Sequence, residues 1–127
     1  MIAQIILETA AELITLGGLY DLFVPRLPPN LAAICGENLQ ERRLVRELLR
    51  ALGGSLVAIG VAVSILVAVS PQPMQPLTLI VVLRLVLPSE GINAFCMFRV
   101  CSPFYVPLTF AILTLVGALL GWPNLFH

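Results

Sequence analysis

The sequence contains no lysine; its cations are seven arginines, at positions 26, 42, 43, 46, 50, 84 and 99. Schiff-base chemistry and a P-loop phosphate site each need a lysine, so both are excluded. Histidine is almost as scarce, with His127 the only one. Haem ligation by a helical histidine, His-based zinc sites and Ser-His-Asp catalysis therefore lack their central residue. The three cysteines, Cys35, Cys96 and Cys101, form neither an even set nor a Cys-x-x-Cys pair. Neither a disulfide framework nor a thioredoxin-like site is indicated, and Cys96 and Cys101 read as small apolar fillers. No metal or cofactor is expected.

Charge of either sign is also sparse. Charged residues make up 11% of the 127, where soluble domains carry roughly 25%. Apolar residues make up 59%, and the mean hydropathy is +1.01. The stretches Leu56 to Val69 and Phe104 to Leu120 contain no charge at all. Lipid does not reward charge, so this is how a bilayer-facing surface reads. The composition predicts a single all-α integral membrane domain and excludes a soluble nucleic-acid-binding protein, whose arginines would need a free basic surface.

Four membrane helices are predicted. The first runs from Ile2 to Val24 and stops at Pro25; it carries two glutamates and no basic leader, so it reads as a permanent helix rather than a cleaved signal. The second runs from Leu48 to Ser70, closed by the proline-rich turn at 71–76. The fourth runs from Phe104 to Gly121, with Trp122 as an interfacial anchor. The third is the shortest: Leu77 to Leu87 spans only about 16 Å before Pro88. It is extended here to 74–89, because Pro88-Ser89-Glu90-Gly91 reads as a loop. A kinked helix running on toward Phe98 and a re-entrant segment are the alternatives.

Between the first two helices, Asn38 is a candidate N-cap and Leu44, Val45, Leu48, Leu49 and Leu52 form one apolar stripe. Arg42, Arg43, Arg46, Glu47 and Arg50 form the opposite face, with Arg43 and Glu47 in i, i+4 range. The pattern predicts an amphipathic cytoplasmic helix, either lying on the membrane or running straight into the second span. Its arginines fix topology or bind anionic lipid or a partner. By the positive-inside rule, this connection and Arg99 lie in the cytoplasm and both termini lie outside the cell membrane.

Three groups of residues are candidate sites. Glu8 and Glu12 share one face of the first helix at about 10 and 17 Å depth, and Arg84 comes to a similar level on the third. This predicts a Glu12–Arg84 ion pair, serving as a proton, cation or ligand site or as a structural clamp within or between subunits. Asp21, Arg26, Glu90, Asn93 and Arg99, with Ser102 and Tyr105 nearby, gather at the predicted cytoplasmic interface. That set reads as ordinary capping and loop pairing more readily than as a ligand pocket. Small residues at helical spacing mark packing faces: Gly54, Ala58 and Ala62 on the second helix, Gly117 and Gly121 on the fourth, and Ala10, Gly17, Ala11 and Gly18 on the first.

Arg50-Ala51-Leu52-Gly53-Gly54, entering the second of four helices, resembles small bacterial DoxX-like membrane proteins. The resemblance covers five residues and implies no residue role. The sequence as a whole predicts an accessory or structural subunit that packs against other membrane proteins. The alternative is a small homo-oligomeric transporter or channel using Glu8, Glu12 and Arg84. A third reading, a lipid-modifying enzyme at the membrane interface, would need Glu90, Arg99 or a cysteine as reacting group, and no second residue of a known mechanism accompanies them.

Overall fold

The structure, a computed structural model, describes residues 1–23, 29–100 and 102–123, excepting the side chain of residue 30. Among these residues every regular element is an α-helix: α1 (Ile2–Phe23), α2 (Pro29–Cys35), α3 (Leu39–Val69), α4 (Pro76–Arg99) and α5 (Tyr105–Gly121). Three of them, α1, α3 and α4, are long and apolar enough to cross a membrane, and α5 is a shorter apolar helix of 17 residues. This is the build of a helical membrane protein.

Two expected boundaries change. The arginine-bearing segment runs straight into the second long helix, one of the two arrangements expected for it, so α3 starts at Leu39 rather than Leu48 and is unbroken for 31 residues. Asn38 caps its start, its side-chain oxygen accepting from the Gln40 and Glu41 amides at 3.0 and 3.4 Å. Gly36, at φ 60°, supplies the left-handed residue that ends α2 just before it. No proline interrupts 39–69, so nothing halts the helix between the arginines and the apolar half. At about 46 Å, α3 exceeds a hydrocarbon core of about 30 Å.

The second change is at Pro88. The helix expected to end near Ser89 continues through Pro88 to Arg99, 24 residues in all. A proline in a helix forfeits one amide donor and crowds the carbonyl four residues back. Unwinding the chain there would leave several backbone groups without partners in an apolar bundle, which costs more. The kinked alternative therefore prevails, and Glu90 moves from a loop into the helix.

The helices pack as a ring in chain order. α1 contacts α3 and α5, and α4 contacts α5 and α3, so α1 and α4 lie across one diagonal. Neighbours run antiparallel, which leaves α1 and α4 parallel. Each helix turns one stripe inward: Leu7, Ala10, Ala11, Ile14 and Gly18 from α1; Gly53, Leu56, Gly60, Val63 and Val67 from α3; Leu79, Val82, Val86, Glu90 and Ala94 from α4; and Ala111, Thr114, Gly117 and Ala118 from α5. The alternation of three- and four-residue steps is the spacing of left-handed helix bundles.

Candidate functional site

The α1–α3 seam positions everything else, and it is built of glycine. A Cβ added at Gly53 would fall 2.5 Å from the Gly18 carbonyl oxygen, and one at Gly18 would fall 2.7 Å from the Gly53 oxygen. One turn-pair along, a Cβ at Gly60 would collide with the Thr15 hydroxyl and the Ala11 carbonyl. The Gly54, Ala58, Ala62 face singled out from spacing is not this seam. Nothing lies within 4 Å of a Cβ at Gly54, and Ala58 is exposed. The four-residue repeat misled because Gly53 and Gly60, seven apart, are the pair in phase with Leu56, Val63 and Val67. Gly117 and Gly121 of α5 do meet α1: Cβ atoms there would lie 2.9 Å from Leu7 and 3.2 Å from Ala3.

Within this frame α4 carries a carboxyl into the core. Glu90 is 1% exposed, on the same stripe as Val82 and Val86, and neither carboxylate oxygen has a hydrogen-bond partner. Asp21 of α1, half-buried, is near enough for its charge to act on Glu90. No side-chain hydrogen bond ties Asn93 or Arg99 to them among the described residues. Asn93 is half-buried, and Arg99 is exposed at the end of α4. Arg26 lies outside the described residues. No ion pair links members of this set among the described residues. A carboxyl with free lone pairs in an apolar core can take up a proton or a small cation, and an intramembrane ionisable group is a functional candidate by default.

The other carboxyls lie on α1. Glu8 is half-buried and held: the Gln4 side-chain amide donates to it at 3.1 Å, and Gln72 donates to Gln4 at 3.0 Å. This chain ties α1 to the loop before α4. Glu12 is exposed, at the mouth of an open cleft of about 350 Å³ between α1 and α3, lined also by Thr15, Leu16, Val61, Ser64 and Ile65. The Thr15 hydroxyl is spent on the Ala11 carbonyl at 2.8 Å.

The expected Glu12–Arg84 ion pair is not formed. α1 and α4 are diagonal, and both residues lie opposite their helices' inward stripes. They therefore project from opposite sides of the bundle. The only ion pair among the described residues is Arg50–Glu47, at 2.9 Å, in place of the anticipated Arg43–Glu47 contact. Along the same face Arg42 donates to the Gly36 carbonyl at 2.5 Å, Arg43 is exposed, and the half-buried Arg46 has a shielded Nε without a partner.

A second cavity, of about 700 Å³, opens at the far end, between Met1, Gln72, Met74 and Trp122. No three metal-binding side chains cluster among the described residues. Of these features, the burial of Glu90 goes with the kinked alternative for α4 and not with the preferred ending near Ser89. Its signal was the spacing 82, 86, 90, 94, continuous through the proline. Compared with known proteins, the chain matches no protein family, no curated protein and no solved structure.

Proposed function

We propose that the chain is a small four-span protein of the cell membrane that serves as an accessory or structural subunit, packing within the bilayer against other membrane proteins. One observation carries this reading: two opposite charges stand exposed within apolar helices, Glu12 halfway along α1 and Arg84 about a third of the way along α4, with no ion-pair partner among the described residues. An ionised side chain facing hydrocarbon is costly, and such residues nearly always face protein or water. A neighbour on each face relieves that cost. At 17 residues, about 25 Å, α5 serves as the fourth span with slight local thinning of the bilayer. The arginines at the start of α3 and Arg99 at the end of α4 share one end of the bundle, which favours that end as cytoplasmic and both termini as external.

Extraction from the native membrane in mild detergent, followed by sizing and mass spectrometry, tests the reading. The expected result is a particle well above 13.7 kDa, with its other components in fixed ratio. A lone monomer in detergent and in lipid nanodiscs rejects it.

A second reading, proton or cation transport, is favoured by Glu90 alone. It requires an ion flux in proteoliposomes that Glu90→Gln abolishes, and unchanged flux in that variant removes it.

A further inference from the structure

The outward stripes of α1 and α4 each carry one charge, of opposite sign. On α1 the exposed series includes Thr9, Glu12, Leu16 and Tyr20; on α4 it includes Ile80, Arg84, Pro88 and Gly91. The two helices are parallel, and they start level with one another. Cβ atoms at Gly121 would touch both Ala3 and Met74 at 3.2 Å, and Gln72 bonds Gln4. Counting from Ala3 and Pro76 at 1.5 Å per residue, Glu12 and Arg84 lie about 14 and 12 Å along their helices. Tyr20 and Gly91 lie about 26 and 23 Å along. The bulkiest outward side chain of this part of α1 thus comes level with the glycine of α4, where a Cβ would meet nothing within 4 Å.

We propose that the Glu12 face of α1 docks, in the plane of the membrane, onto the Arg84 face of α4 in a second copy of this chain, joined by an intermolecular Glu12–Arg84 ion pair with Tyr20 seated over Gly91. This adds a second copy of the chain to the neighbours in the subunit reading given above, and rests on that reading. Charge complementarity selects the occupant: a copy of the same chain in the same orientation presents the opposite charge at the matching depth, with no further requirement. Because the two faces lie on opposite sides of the bundle, the contact is heterologous and repeats in one direction, building a closed ring or a row rather than a two-fold dimer. Desolvated from both sides, the pair replaces two exposed charges by one satisfied bond, a strong one if the arginine fork engages both carboxylate oxygens.

Cross-linking in native membranes tests this. In a chain whose three cysteines are replaced by alanine, Thr9→Cys is placed on one tagged copy and Ile80→Cys on a second, differently tagged copy. These positions flank the ion pair and leave it intact. Co-expression and mild oxidation should give a mixed Thr9→Cys/Ile80→Cys dimer in large excess over self-links. Glu12→Arg on the first copy should cut its yield about tenfold or more, the change expected for loss of a buried pair. Adding Arg84→Glu on the second copy should restore it, which also shows that the reversed chains fold. Self-linking of either variant as the main product, or no mixed link, overturns the proposal. If the native particle then still contains other proteins in fixed ratio, self-docking fails while the subunit reading stands. If the native particle is a monomer, both fail.

Discussion

The two halves of the bundle are held together by different means. The α1–α3 seam is dry and close, glycine against backbone, with Gly18 and Gly53 at the crossing and Gly60 under Thr15. The α4 side is looser: α4 leans mainly on α5 and only slightly on α3. It holds a proline in mid-helix and buries a carboxyl with no partner. Lipid tails are as apolar as leucine, so membrane helices gain little from hydrophobic burial against one another and depend on close van der Waals contact. Small residues secure such contact on one side of the molecule. On the other the chain retains groups that close packing alone would exclude, which is where function is drawn from in membrane bundles.

That contrast is broken most directly at the crossing. Gly53→Leu should separate α1 from α3 and cost about 3 kcal/mol or more, because the obstacle is backbone rather than a side chain that can turn away. Gly54→Leu, one residue along and facing open space, should change stability by less than about 0.5 kcal/mol. Thermal unfolding in a fixed detergent compares the two; equal losses would mean that the seam lies elsewhere.

The next effect has the opposite sign. Glu90→Leu keeps a similar volume and removes two unpartnered oxygens, so it should raise stability by about 1 to 3 kcal/mol in the isolated protein. Glu90→Gln, which keeps a buried polar group, should gain little. A loss of stability with leucine would show that the carboxyl is satisfied by a bound ion or water in the membrane.

How far this difference was legible in the sequence follows from the kind of information each feature needs. Helix content and the first, second and fourth helices followed from long apolar runs and proline stops, which are local. The expected level of Glu12 and Arg84 rests on helical rise, also local. Whether they meet depends on which helices are neighbours, and the sequence carries no term for a diagonal. The true glycine seam needed the phase of the inward stripe, since Gly53 and Gly54 are equivalent until Leu56 and Val63 fix which of them points in. By the rules of soluble proteins Pro88 is a stop signal. In a bundle among lipids the balance reverses, because an interrupted helix strands more backbone groups than a kinked one.

The smallest effect bears on that reversal. Pro88 is exposed on the outer stripe of α4, so its replacement alters no core contact. Pro88→Ala supplies the missing amide donor to the Arg84 carbonyl and removes the ring that crowds it. In a helix interior proline costs about 3 kcal/mol relative to alanine. Here the fold already accommodates it, so the expected gain is a fraction of that, about 1 kcal/mol. It should appear locally, as slower amide exchange between residues 84 and 90 in micelles. If exchange instead quickens, the ring is itself a packing element of the outer face. Leu16 and Pro88, about 20 and 18 Å along their helices, would then pack together in the docked pair, and the same variant should weaken the Thr9→Cys/Ile80→Cys cross-link. If exchange slows and the cross-link holds, Pro88 serves only to bend α4, and the looseness of that side belongs to the helix rather than to the assembly.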